Sequence, residues 1–133
     1  MIRTLLLVLA FALAMVGCAN PTPGTGPLAI TLQAIPARDG SIMLNLRNSS
    51  GKTVGYNLCT STLERNRAGV WEATGSERVC TLQIRNIAHG QSESYPYVPQ
   101  PRLVPGEYRA ITLIDVAGRQ RGHQVTSESF RIN

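Results

Sequence analysis

The dominant pattern from residue 28 onward is an alternation of apolar and polar positions with a period of two. In its clearest run, Ile42, Leu44 and Leu46 stand at every second position. Successive side chains of a strand point to opposite faces of a sheet, so this spacing predicts a half-buried strand. Further runs between turn sequences predict a polar hairpin at 63–71 and strands at about 28–35, 54–58, 80–84, 93–98, 107–115 and 127–132.

Residues 107–115 differ from the other runs because both of their faces are apolar. Ile111 points away from Ala110, which indicates a central strand covered on both sides. No helical pattern of ~12 residues interrupts the series of short strands and turns. Residues 28–133 are therefore predicted to be one all-β domain, an antiparallel sandwich of about seven strands.

The segment before this domain has the composition of an export signal, at residues 1–17. Arg3 precedes 12 consecutive apolar residues, Leu5 to Val16. A helix of that length rises about 18 Å against a hydrocarbon core of about 30 Å, so a secretory signal fits better than a membrane span. Residues 18–27, rich in Pro and Gly, predict a tether that reaches at most ~35 Å.

The sequence Met15-Val16-Gly17-Cys18 resembles the lipobox of bacterial lipoproteins. The resemblance implies that Cys18 is lipidated and becomes the new N-terminus, which anchors the chain to a membrane; ordinary signal cleavage is the alternative. Ala19 stands where lipoproteins kept at the inner membrane usually carry Asp. In a Gram-negative host the resemblance therefore implies an outer-membrane lipoprotein that faces the periplasm, and in another host a membrane-anchored protein of the cell surface.

Several motifs of the domain resemble those of bacterial Ig-like domains of envelope proteins. They are residues 44–48 with the Ser-Ser-Gly turn after them, 63–65 with Trp71, 88–92 and 105–109. The intracellular proteinase inhibitor family of spore-forming bacteria is similar in this pattern of strands and glycine turns. These resemblances imply an Ig-like sandwich and leave the function open.

Tyr108 is the candidate for a tyrosine corner, in which a Tyr near the start of a late strand hydrogen-bonds to nearby backbone. The alternative is a Tyr that is merely half-buried on its strand. Ala110 stands where antibody-type domains have a Cys, so their inter-sheet disulfide is absent.

Cys59 and Cys80 are the two cysteines that remain once Cys18 is acylated. Export places them in an oxidising compartment, which favours a structural disulfide. This disulfide is expected to join the two strands that flank the polar hairpin. A metal or redox site is the competing interpretation, but there is no Cys-x-x-Cys motif, and His89 and His123 are distant in sequence. We therefore predict no metal and no cofactor.

The formal net charge of +5 raises the question of a nucleic-acid partner. The basic residues are scattered along the chain, and the densest group, Arg119 and Arg121 around Gln120, contains no aromatic residue. A phosphate-binding surface needs clustered cations with stacking rings or donor-rich loops. We predict no nucleic-acid binding.

The sequence offers few groups for catalysis. It has two Asp and two His, and no nucleophile-elbow, phosphate-loop or paired metal motif. We therefore expect a non-enzymatic envelope lipoprotein whose domain binds or scaffolds another envelope component.

Protease inhibition through an exposed loop is the alternative function. The candidate binding loops are 64–69, with Trp71 close by, and 95–101; the competing interpretations are a plain hairpin tip and a connection between sheets. The candidate binding residues are Arg65, Asn66, Arg67, Trp71, Tyr95 and Tyr97.

Overall fold

The structure, a computed structural model, describes residues 28–75, 78–117 and 122–133. Ten β-strands within these ranges form two antiparallel sheets, which confirms an all-β antiparallel sandwich. The strands are β1 (Ile30–Pro36), β2 (Ile42–Asn48), β3 (Val54–Tyr56), β4 (Thr62–Arg67), β5 (Val70–Ala73), β6 (Arg85–Ile87), β7 (Ser92–Tyr97), β8 (Gly106–Asp115), β9 (His123–Thr126) and β10 (Phe130–Ile132). A short 3-10 helix, Leu58–Thr60, follows β3.

The first sheet has the strand order β1-β2-β7. Leu46 of β2 lies opposite Leu32 of β1, and Leu44 lies opposite Tyr95 of β7. Ile42, Leu44 and Leu46 are completely buried, as their alternation predicts.

The second sheet is built around β8, the central strand that the sequence predicts. On one edge β4 pairs with the first half of β8 and β3 with its end. On the other edge β10 pairs with the start of β8 and β9 with the second half. The hairpin partner β5 extends the sheet beyond β4, and β6 extends it beyond β3.

The core lies between the two sheets. Ile42, Leu44 and Leu46 pack in the same buried cluster as Leu63 of β4 and Ile114 of β8. Burial of such apolar side chains is the main favourable contribution to folding. Other fully or nearly fully buried members of the cluster are Val54, Tyr56, Leu58, Ile87, Tyr97 and Ala110.

Tyr108 forms the tyrosine corner that the sequence suggests. It is 1% exposed, and its hydroxyl donates a hydrogen bond of 2.7 Å to the carbonyl of Val104. Its ring lies 6.1 Å from that of Phe130 on β10. The contact fixes the chain that enters β8.

Asn48, at the end of β2, organises two turns at one end of the sandwich. Its buried amide donates to the carbonyls of Lys52 and Ile87, at 2.7 and 2.9 Å, and its amide oxygen accepts from the backbone of Ser50. Burial of an amide is favourable only when such partners are present. The sequence Asn-Ser-Ser-Gly is a turn, as predicted.

Three predicted elements differ from the structure. The predicted closing strand at 127–132 is shorter in the structure, where β10 covers only Phe130–Ile132 and a further strand, β9, precedes it. The predicted strand at 54–58 ends at Tyr56, and the 3-10 helix follows. The predicted strand at 80–84 is wrong, because residues 78–84 belong to no strand. The physical reason is the lack of a partner: the β3–β6 ladder ends at the pair Tyr56–Arg85, where the chain beyond β3 turns away.

Candidate functional site

Three of the predicted binding-loop residues, Arg65, Asn66 and Arg67, lie in strand β4 rather than in a loop. The loop between β4 and β5 is only the two-residue turn Ala68–Gly69, in which both residues have positive φ. Such turns match the twist of the flanking strands, which makes the hairpin tight.

The polar side chains of this hairpin are bound within the domain. Arg65 donates to the carbonyl of Pro105 at 2.8 Å, and Asn66 donates to Glu107 at 2.9 Å. Arg67 forms an exposed ion pair with Glu72 at 3.0 Å. The structure thus has the competing interpretation at 64–69, a plain hairpin tip, and strand pairing and long-range contacts already use the side chains of the candidate binding loop.

Trp71 of β5 lies on the outer face of the larger sheet and is half-buried. The guanidinium of Arg109 stacks 4.4 Å from its ring centre and contacts Glu64 at 2.6 Å. Cation–π stacking and the charge-assisted contact hold the indole in a fixed position. The sequence gives no sign of this cluster, because Arg109 and Glu64 are 45 positions apart.

Tyr95 and Tyr97, the other predicted loop residues, lie in strand β7 and pair with β2. Tyr97 is 1% exposed, and the guanidinium of Arg78 stacks 3.4 Å from its ring centre. A buried, covered ring is unable to contact a partner directly. The prediction of a recognition loop at 95–101 is therefore wrong for Tyr97, whereas Tyr95 is half-buried in its strand.

The predicted disulfide between Cys59 and Cys80 is present. It joins the 3-10 helix to the strandless residues 78–84, not two strands as expected. We name residues 78–84 the disulfide segment. Arg78 fixes its beginning, because one guanidinium nitrogen donates to the carbonyls of Cys59 and Ser61 at 2.6 and 3.1 Å.

The disulfide segment presents apolar side chains to solvent. Val79 is 98% exposed, Leu82 is 91% exposed and Ile84 is 50% exposed. Nearby Val98 adds another exposed apolar side chain, at 53%. Leucine and valine are more often found in a core, so the disulfide segment differs in this respect from the strands of the sandwich.

An open groove of about 320 Å³ lies between the disulfide segment and the sandwich. Val79, Thr81 and Gln83 line it from the segment side, and Tyr56 and Glu93 line it from the sandwich. Burial raises the pKa of the Tyr56 phenol above its ordinary value of 10.0, and the Glu93 carboxylate raises it further. The groove therefore separates part of the disulfide segment from β7, while Ile84 at the end of the segment packs against Gly55 of β3.

The two histidines make different contacts. His89 accepts a hydrogen bond at Nδ1 from the backbone N–H of Gly51, at 3.0 Å, and His123 begins β9 opposite Ile114. Within 28–75, 78–117 and 122–133, no group of three or more His, Cys, Asp or Glu side chains is arranged to hold a metal ion.

The predicted lipidation site Cys18, the signal and the tether lie outside the described residues, as do Arg119 and Arg121. Across the described ranges, no helix combines the length and apolar character needed to cross a membrane. No protein-family model matches the chain, and no curated protein matches it significantly. The site is therefore interpreted from its own geometry.

Proposed function

We propose that the chain is a membrane-anchored, non-enzymatic envelope lipoprotein that binds another protein through the disulfide segment. The observation that carries this proposal is the near-complete exposure of Val79 and Leu82 in a segment held by a disulfide. Exposed apolar side chains gain free energy when a partner removes them from water. A segment already fixed in place loses little conformational entropy on binding.

The Cys59–Cys80 disulfide supports the envelope location, because stable disulfides form outside the reducing cytosol. The lipobox sequence at Cys18 supports membrane attachment, and Ala19 supports the outer membrane in a Gram-negative host. Several acyl chains, at about 0.8 kcal/mol per buried CH₂, make such an anchor effectively permanent. Labelling of growing cells with a fatty-acid analogue tests it: the label enters the wild-type chain and is absent from Cys18→Ser.

Photo-cross-linking on whole cells tests the binding surface. A photoreactive amino acid replaces Leu82 in one variant and Leu113 in the control; Leu113 lies on β8 and is 60% exposed. We expect a discrete cross-linked partner from position 82 and none from position 113. Equal products from both positions, or no product from position 82, would contradict the proposal.

Protease inhibition is the second candidate function. The observation that favours it is again the disulfide segment, because a protease can bind an exposed segment that contacts on both sides hold in place. The two loops expected from the sequence do not have this form, since one is a tight turn and the other begins inside a sheet.

A further inference from the structure

We infer that the disulfide segment is a substrate-like inhibitory loop, and that Leu82 enters the specificity pocket of a serine protease that prefers large apolar residues. This inference rests on the proposed function of the segment as a protein-binding surface. It names the partner class, the residue that the partner recognises and the peptide bond that it attacks.

Leu82 has the exposure that a specificity-pocket residue requires. At 91% it is almost entirely free of the domain, and its side chain can enter a pocket without any local unfolding. The neighbouring Thr81 and Gln83 are also exposed, so the backbone on both sides of Leu82 is accessible. An apolar pocket such as the slot of chymotrypsin accepts a side chain of this kind.

The chain before Leu82 is fixed at two points. Cys80, two residues earlier, is joined to Cys59. The side-chain amide of Asn57 donates a hydrogen bond of 2.7 Å to the carbonyl of Thr81, the residue directly before Leu82. Asn57 is itself fixed, because its amide oxygen accepts from the backbone N–H of Cys59 at 3.1 Å.

The chain after Leu82 is fixed as well. Ile84 packs over Gly55 of β3 so closely that a Cβ on Gly55 would lie 2.7 Å from the Ile84 side chain. The next residue, Arg85, pairs with Tyr56 at the start of β6. Leu82 and Gln83 therefore stand between two restrained positions, and an open groove lined by Thr81, Gln83 and Glu93 lies beside them.

These restraints explain how a segment that the protease can cleave would still inhibit it. The protease serine attacks the Leu82 carbonyl carbon, the bond to the Gln83 nitrogen breaks, and the leaving amine takes its proton from the protease histidine. The disulfide and the Asn57 contact hold the new Leu82 end, while β6 holds the Gln83 end. The amine thus stays beside the acyl-enzyme. Its attack on the acyl carbon re-forms the peptide bond and breaks the bond to the serine oxygen, while the amine proton passes through the histidine to that oxygen.

The other exposed segments do not fit a protease cleft in this way. A substrate binds in an extended conformation, whereas the hairpin turn at Ala68–Gly69 reverses the chain within two residues. Tyr95 and Tyr97 are already paired with β2. Among these three segments, the disulfide segment alone combines an exposed apolar side chain with restraints on both sides.

Inhibition assays on the full chain, kept in non-ionic detergent, test the inference with chymotrypsin, subtilisin and trypsin. We expect stoichiometric inhibition of chymotrypsin or subtilisin and none of trypsin. Leu82→Gly weakens this inhibition at least about 100-fold, and Leu82→Arg transfers it to trypsin. Leu113→Arg is the matched control, an exposed leucine of β8 whose change leaves the inhibition as it was.

A second variant tests the restraint separately from the pocket residue. Asn57→Asp keeps the oxygen that accepts from Cys59 and removes the N–H that donates to Thr81. We expect it to bind the protease and then to be cut after Leu82 faster than the wild-type chain, as measured by mass spectrometry. Equal cleavage rates would overturn the role of Asn57.

Two results would overturn the inference itself. One is full activity of chymotrypsin and subtilisin in the presence of excess intact chain. The other is inhibition that Leu82→Gly and Leu82→Arg leave unchanged. If either occurs while position 82 still cross-links a partner on cells, the inference fails and the proposed binding function stands.

Discussion

The β4–β5 hairpin and the disulfide segment follow one another along the chain, yet they are ordered by different means. In the hairpin, continuous strand pairing and side-chain contacts fix every polar group discussed above, and Arg109 covers Trp71. In the disulfide segment, a covalent bond, a stacked Arg78 and one asparagine contact take the place of strand pairing.

The difference shows that order and burial are separable. The hairpin is ordered because its backbone and side chains contact other parts of the domain, and few of its side chains are left to contact a partner. The disulfide segment is ordered by contacts at a few points, so the side chains between those points stay available. A binding surface needs this second arrangement, in which the contacts that fix the segment do not involve the side chains that bind a partner.

The sharpest test of this contrast makes the same substitution in both regions. Leu63 of the hairpin is 1% exposed and Leu82 is 91% exposed. We expect Leu63→Ala to lower the free energy of unfolding by about 2–5 kcal/mol, and Leu82→Ala to change it by less than about 0.5 kcal/mol. Urea denaturation followed by Trp71 fluorescence measures both. Similar losses would mean that Leu82 packs on the domain.

Removal of the disulfide is expected to make the disulfide segment more mobile and to leave the β4–β5 hairpin as it is. The bond closes a loop with a sequence separation of 21, so the variant Cys59→Ser with Cys80→Ser loses roughly 3 kcal/mol of stability. At short labelling times, hydrogen exchange should rise in residues 78–84 and stay unchanged in the hairpin. Unchanged exchange in the segment would show that its other contacts suffice.

A smaller effect is expected from the ion pair that supports Trp71. Glu64→Gln weakens a contact in which the Glu64 and Arg109 side chains are 20% and 29% exposed. We expect a loss of about 1 kcal/mol in unfolding free energy and a shift in Trp71 fluorescence. Glu72→Gln is the control, because its pair with Arg67 is exposed and should contribute nothing measurable.

The smallest effect concerns the Tyr56 phenol, which lines the groove beside the disulfide segment, and it depends on pH. The folded-state pKa of Tyr56 is raised, so its contribution is present below the unfolded value of 10.0 and is lost as pH rises through the folded value. We expect wild-type stability to fall more steeply than that of Tyr56→Phe in alkaline solution. Parallel curves from denaturant titrations at several pH values would contradict this assignment.

Much of the sandwich follows from local patterns. Ile42, Leu44 and Leu46 alternate because one face of β2 is core, and both faces of β8 are apolar because it is central. The tyrosine corner and the disulfide are also predicted, since each depends on few residues with a definite role.

The binding surface was not predicted, for two physical reasons. The alternation of Cys80, Leu82 and Ile84 indicates extended chain, but a strand also needs a partner, and β3 ends before one is available. Conversely, Tyr97 looks like an exposed aromatic residue in a Pro-containing stretch. Its burial under Arg78 arises from a contact that no local pattern records.

The dependence of four strands on β8 also bears on how the chain reaches its folded state. β3 and β4 precede β8 by many residues, and apart from β8 each pairs with one short strand, β6 and β5 respectively. The larger sheet is therefore complete only when β8 and the strands after it have paired. Folding that depends on such pairing between distant parts of the chain is expected to be slower than folding through local hairpins.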